Sequence, residues 1–295
     1  MSKAVISFLV PTRGRPALVA RFLDSVVAQT EHLDRVEVIL YVDEDDVPSL
    51  GLADDRLRVK RIVGPRRTMG EYNSICFAAA QGSILILGND DVVIGTRGWD
   101  TRLESFDAGI PDKIYLAYCN DLYKKDKVCT FPVLSRRTCE LLADPYPSAY
   151  RGSFIDSHLL DIFKRLQHAG FDRICYLGDV IFEHMHYRAG KAPIDDTYRQ
   201  RARFGDDWTF LGLDESRRET AEFLADLLRG GHPAPYVPPR NFVAPTPVGL
   251  FGAFTYISRK FWNDRSAPLR WRAYLWIYFL VRYLAAQRMF RPFVR

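Results

Sequence analysis

Two adjacent carboxylates, Asp90 and Asp91, follow the apolar run Ile84-Leu85-Ile86-Leu87 and the turn Gly88-Asn89. With no lysine beside them they suit a hard divalent cation such as Mg²⁺ or Mn²⁺, which takes one or two carboxylates and completes its shell with phosphate oxygens. A solvated Asn-Asp-Asp turn reads the same way on its own, so the pair gains meaning from its neighbours. Pro11-Thr12-Arg13 ends the apolar run Ala4–Val10, and Asp43-Glu44-Asp45-Asp46 ends Val36–Val42. His184 and His186, at i and i+2, would point to one side of an extended segment, where both could face a metal or a diphosphate. Asp156, in Gly152-Ser153-Phe154-Ile155-Asp156, opens a helical pattern. Taken alone, a carboxylate at a helix start can serve as its cap.

The elements that must position these residues alternate. Pro16 suits the first helical turn, and Leu18, Val19, Phe22, Leu23, Val26 and Val27 recur at helical spacing. Leu57–Val63 reads as a third strand, Gly70–Gln81 as a helix ended by Gly82, and Ser83–Leu87 as a fourth strand. Ile114–Cys119 is a further strand and Thr138–Leu142 a short helix. Leu159, Leu160, Phe163 and Leu166 share one helix face before Gly170, and a partly apolar segment, Ile174–Met185, follows. Residues 195–229 read as helical, capped by Asp195, Asp196 or Thr197. Such alternation predicts an α/β fold with a mostly parallel sheet flanked by helices. Ligands of such sheets bind beyond the carboxyl ends of the strands, where the strand order reverses. Three polar clusters at successive strand ends therefore predict one site.

The order of these pieces resembles the nucleotide-sugar half of GT-A fold glycosyltransferases, especially glycosyltransferase family 2. A strand ends in Pro11-Thr12, an acid follows the second strand at Asp43, a helix carries Asn73 and ends Ala78-Ala79-Ala80-Gln81-Gly82, and a strand ends in Asn89-Asp90-Asp91. The resemblance covers about residues 4–190. It implies that Pro11, Thr12 and Asp43 hold the nucleoside, that Arg13 and Asn73 belong to the same nucleotide-sugar set, and that Arg66 or Arg67 reaches the diphosphate. Asn89 stands where the family has the first Asp of D-x-D, turned toward the ribose. Asp91 would be the direct ligand of Mn²⁺ or Mg²⁺, with Asp90 a weaker candidate, and His184 or His186 would join the metal shell. Asp156 matches the family's base, although Ile155 replaces the Glu of the usual Glu-Asp pair. The implied activity is transfer of a sugar from a UDP, GDP or dTDP sugar to a hydroxyl of a saccharide or lipid-linked acceptor, with inversion, in polysaccharide or glycolipid assembly. Two rivals stand beside it. A sugar-phosphate nucleotidyltransferase would carry a Gly-Gly-rich loop after the first strand, which Pro11-Thr12-Arg13-Gly14-Arg15 is not; a non-catalytic nucleotide-sugar-binding scaffold would explain Asn89 and Ile155.

The chain has 295 residues, 47% of them hydrophobic and 26% charged, an ordinary globular composition. Five widely spaced cysteines with no C-x-x-C pair argue against a disulfide framework or a zinc knuckle and for a reducing, cytoplasmic setting. Neither a signal peptide nor a transmembrane run is expected. The net charge of +5 is unevenly spread. Residues 259–295 hold nine Lys/Arg against Asp264 alone, a net of +8, which leaves 32 basic and 35 acidic residues, −3, in the rest. We therefore expect a catalytic domain over residues 1–230 and, after a Pro- and Gly-rich linker, a helical aromatic and basic C-terminal extension within 231–295. Its Trp271, Tyr274, Trp276 and Tyr278 beside arginines suit an anionic membrane interface on the inner face of a membrane, or a homo-oligomer contact. An acidic body without a base-stacking module argues against nucleic acid as a partner.

Overall fold

The computed structural model describes residues 5–193, 195, 199, 202–234, 237 and 242–287. The apolar runs become strands β1 (Ile6–Thr12), β2 (Val36–Asp43), β3 (Arg58–Gly64) and β4 (Ile84–Leu87). Helix α1 (Pro16–Gln29) joins the first two strands, with Pro16 in its opening turn. Helix α2 (Met69–Ala79) joins β3 to β4 and starts with a capping box: Thr68 accepts from the Glu71 N–H while Glu71 reaches back to the Thr68 N–H. Then follow β5 (Val92–Ile94), α3 (Trp99–Ala108), β6 (Leu116–Asn120), β7 (Pro132–Ser135), α4 (Arg136–Leu141), α5 (Ile155–His168) and β8 (Ile174–His184).

The eight strands form one sheet in the order β3-β2-β1-β4-β7-β6-β8-β5. β1 pairs in parallel with β2 and β4, β2 with β3, and β6 with β8, whereas β7 runs antiparallel to β4 and β6, and β5 antiparallel to β8. The expected mostly parallel sheet is therefore present, with an antiparallel insertion. The strand order reverses beside β1, which lies between β2 and β4. The pleat divides each apolar run between two cores. Ile6, Phe8 and Val10 of β1 pack with Phe22 of α1 and Trp99 of α3, while Leu9 faces Cys76 of α2 and Leu159 of α5. With both faces covered, these strands read as continuous rather than alternating apolar runs.

The C-terminal third is helical: α6 (Asp207–Gly212), α7 (Asp214–Leu228), α8 (Gly249–Asn263) and α9 (Leu269–Ala286). Among the described residues from 202 onward, the continuous helix expected over 195–229 is corrected to a turn at 203–206 followed by two helices that break at Leu213. At the break Gly212 is pressed by Phe242 and Pro245 of the returning linker, and a Cβ there would meet both. Of its expected caps, Asp196 and Thr197 lie outside the described residues. Ile257 and Phe261 of α8 and Leu275 and Phe279 of α9 join the same core cluster as Leu159 and Leu166 of α5. An ionic cluster fastens this contact. Buried Asp161 accepts from Arg165 (3.0 Å), Arg217 (2.6 Å) and the Trp271 indole N–H (2.6 Å), and Arg165 also binds Asp214 and Asp264. Burial pushes the Asp161 carboxyl up, but Arg165 and Arg217 outweigh it and hold the group below the ordinary aspartate range.

Candidate functional site

The parallel register brings the carboxyl ends of β1, β2 and β4 side by side, with Thr12 opposite Val42 and Leu9 opposite Leu87. Thr12 Oγ1 donates to Asp90 Oδ2 at 2.9 Å, across the point where the strand order reverses. Asp90 also receives Arg15 Nη1 at 3.0 Å, and the same guanidinium reaches Asp195 at 2.8 Å. The two neighbouring carboxylates are thus split. The sequence shows no cation beside them, yet Arg15 arrives from the first strand–helix turn. Burial raises the Asp90 carboxyl to about 6, with the Asp91 charge adding to it and Arg15 and Thr12 opposing. Asn89 is half-buried beside the pair.

Asp43, 1% exposed, is held from two sides: Arg13 Nη1 donates to Oδ2 at 2.7 Å and the Tyr72 hydroxyl to Oδ1 at 2.6 Å. Arg13 also grips Asp45, donating from Nη2 to Oδ2 at 2.8 Å. Burial and the Asp43 carboxylate raise the Tyr72 phenol well above its ordinary value. Tyr72 and Arg15 were not singled out by sequence, because one lies in a helix and the other beside a proline, each far along the chain from its partner. Pro11 pairs with Tyr41 in the sheet. Asn73, on the buried side of α2, donates from Nδ2 to the Met69 carbonyl at 2.9 Å, and its Oδ1 is buried with no hydrogen-bond partner among the described residues. Arg66 and Arg67 are exposed in the loop before α2, where the Arg67 side chain approaches Glu71 at 3.4 Å and the Arg67 backbone N–H donates to the Tyr72 hydroxyl.

The antiparallel β5–β8 register sets Val92 opposite His184, and the Met185 N–H donates to the Asp91 carbonyl at 2.9 Å. This brings Asp91 Oδ2 within 3.3 Å of His184 Nε2. Neither ring nitrogen of His184 has a hydrogen-bond partner among the described residues, although both are buried. A facing carboxylate and imidazole are a mixed oxygen–nitrogen donor pair, which fits Mn²⁺ or Mg²⁺ when phosphate oxygens and water fill the remaining positions. Among the described residues no group of three His, Cys, Asp or Glu side chains could hold a metal by itself. The His186 ring lies 4.9 Å from that of His184, but its Nδ1 accepts the Arg188 N–H at 3.1 Å and its ring stacks on Tyr187 and Tyr123.

One short segment links the backbone at the start of α5 to this region. The Phe131 ring lies 5.2 Å from the His184 ring, and two residues earlier the Cys129 thiol donates to the Asp156 carbonyl at 3.1 Å. Thr130, between them, donates to Asp121 Oδ2, and the Asp121 carbonyl accepts the His184 N–H. Asp156 is not the cap of α5. Phe154 holds that position in the left-handed region, φ 71°, and Asp156 is the second helical residue, its Oδ1 accepting the Ser157 N–H at 2.7 Å. Behind it, buried Asp206 accepts the N–H groups of Arg151, Gly152 and Ser153 at 2.7–3.0 Å and so holds the loop that leads into α5. Helix α9 closes the other side. Tyr278 meets the Phe154 ring edge-on at 6.2 Å, and burial raises the phenols of both Tyr274 and Tyr278, with the Asp156 charge adding to it at Tyr274. These tyrosines lie about 120 residues from Asp156, so no local pattern could have indicated them.

A mostly parallel sheet covered on both faces, an antiparallel insertion, polar strand ends gathered beside the first strand and an acid-bearing helix beyond them together define a GT-A-like fold. S. aureus TarS, solved in complex with UDP-GlcNAc, has that fold with 13% sequence identity, over 96% of this chain and 92% of that one, at a TM-score of 0.50. The mannosyltransferase PcManGT from Pyrobaculum calidifontis, solved with GDP-Man and Mn²⁺, aligns over 79% of this chain and 77% of that one, at 14% identity and a TM-score of 0.47. At such identities the likeness is one of fold. No protein-family model and no curated protein matches the chain.

Proposed function

We propose that this protein is a glycosyltransferase that moves a sugar from a nucleoside-diphosphate sugar to a hydroxyl acceptor with the help of Mn²⁺ or Mg²⁺. The observation that carries the reading is the facing pair of Asp91 and His184, whose imidazole is buried with no hydrogen-bond partner among the described residues, at the strand ends where Thr12, Asp43 and Asp90 also gather. The fold on which TarS was solved with UDP-GlcNAc supports the same donor class.

In this reading Asp91 and His184 are the protein's ligands for the cation. When bound, the cation supplies a Lewis acid for the negative charge of the departing diphosphate. Asp43, oriented by Arg13 and Tyr72, offers its remaining lone pairs to the nucleoside, and Asn73 Oδ1 offers an acceptor on the same side of the sheet. Arg66 and Arg67, on the exposed loop before α2, supply cations for the diphosphate. Asp90 serves by ordering Thr12 and Arg15 rather than by metal ligation. Asp156 is the base. It stands in the first turn of α5, where its carboxylate is the group that takes the acceptor proton. As the acceptor oxygen bonds to the anomeric carbon, the acceptor proton passes to Asp156 and the carbon–oxygen bond to the diphosphate breaks with its electron pair. A base opposite the leaving group implies inversion.

Calorimetric titration of UDP, GDP and dTDP with and without Mn²⁺ tests the donor half. Tight binding of one nucleotide that needs Mn²⁺ and disappears in Asp91→Ala is the expected result. Failure of every nucleotide to bind would sink the reading. Product analysis with the matching sugar donor separates transfer, which releases the nucleoside diphosphate, from nucleotidyl transfer, which releases pyrophosphate.

A further inference from the structure

Helix α9 is apolar on more sides than its own fold uses. Leu275 and Phe279 face the core, yet on the outer side Ile277 and Val281 are each 55% exposed, and Tyr274 and Leu269 are exposed with them. Between this helix and α8 runs a groove of about 510 Å³ lined by Leu250, Phe251, Phe254, Leu280, Tyr283 and Leu284, with Phe251 83% exposed at its rim. A surface helix normally turns charged residues outward, and an exposed apolar face of this size marks a surface that something covers. No described helix is long and apolar enough to cross a membrane.

The charge around the face indicates what covers it. Arg259, Arg265 and Arg270 are exposed on and between the two helices. The only acid from Val248 to Gln287, Asp264, is taken by Arg165, 2.6 Å away. The sequence then adds Arg288, Arg291 and Arg295, which lie outside the described residues. A second copy would press the same cations against these; an anionic lipid surface neutralises them while its acyl boundary takes up Phe251, Ile277 and Val281. We propose that the α8–α9 hairpin docks in the plane of an anionic membrane, apolar side down and arginines at the headgroups. This inference rests on the hairpin alone and stands whether or not the chain transfers sugars.

The full chain is sedimented with vesicles of phosphatidylcholine, pure or with about 30% phosphatidylglycerol. Binding is expected to the anionic vesicles only, and raising salt from about 0.05 to about 0.5 M should weaken it about tenfold or more. Two independent variants, Phe251→Asp/Ile277→Asp and Arg265→Glu/Arg270→Glu, should each abolish sedimentation while circular dichroism stays unchanged. Equal binding to neutral and anionic vesicles would overturn the electrostatic half of the proposal. An absence of vesicle binding would overturn it whole, whether sedimentation equilibrium then shows a monomer or a dimer that Phe251→Asp/Ile277→Asp dissociates, the latter meaning that a second copy covers the face.

Discussion

The proposed function gives Asp156 and Asp91 separable duties, and single-atom changes should separate them. Asp156→Asn keeps the size of the side chain and removes its basicity, so turnover should fall about 10²- to 10⁴-fold while calorimetric binding of the donor nucleotide stays as in the parent. If the variant turns over at the parental rate, Asp156 is a first-turn helix residue and nothing more. Asp91→Asn should show the opposite pattern, with the Mn²⁺-dependent part of nucleotide binding lost first. His184 is the sterner test of the same pair. His184→Phe leaves a ring of similar size between Phe131 and Tyr123, so lost Mn²⁺ dependence there would reflect the missing nitrogen rather than a collapsed pocket. The placement of these acids was legible in the chain. Asp91, Asp43 and Asp156 stand at the ends of readable elements, and their residue types limit what they can do. Arg15 and Tyr72 were not legible, because what distinguishes them is a partner that only folding brings within 3.0 Å.

The N-terminus of α2 fixes the site's second wall. Gly70 donates its N–H to the Tyr150 carbonyl at 3.0 Å, Met69 donates to the Arg151 carbonyl, and a Cβ on Gly70 would overlap the Pro147 carbonyl. The backbone of residues 147–151 therefore rests directly on this turn and continues into the loop that leads to α5. Gly70→Ala should destabilise the protein by about 1–3 kcal/mol, the usual range for overpacking, read as a lower midpoint in urea. It should also slow turnover by shifting Asp156. An unchanged midpoint would mean that the loop moves aside freely. The sequence marks residue 70 only as a helix start, since the reason for a glycine there is a contact with a segment almost eighty residues away. The elements missed by pattern have a simpler cause. β5 has three residues and β7 four, the latter opened by Pro132, too few to display a period of two.

At the scale of the whole molecule, the ion cluster around Asp161 ties the C-terminal helices to α5 and so to the neighbourhood of Asp156. Its carboxyl is held below the ordinary range in the folded state. The stabilisation it contributes is therefore complete above the unfolded aspartate value of about 3.9 and is lost progressively as pH falls below that value toward the depressed folded one. Urea midpoints measured from about pH 5 down to about pH 2 should start to drop near pH 4 and fall more steeply for the parent than for Asp161→Asn. The variant should already be weaker at pH 7 by about 3–5 kcal/mol, because Arg165 and Arg217 stay buried without their shared anion. Parallel acid profiles for the two would show that other carboxylates govern acid unfolding. By itself the sequence determined the types of the longer elements, the mostly parallel sheet and the gathering of acids at strand ends, since these follow from hydrophobic runs, breakers and residue chemistry over short stretches. Only the tertiary structure decided that Asp90 is neutralised by Arg15 while Asp91 faces His184, that α9 packs beside Phe154, and which side of the tail remains bare. Those outcomes depend on pairings between residues from about 30 to well over 100 positions apart, and no local period encodes them.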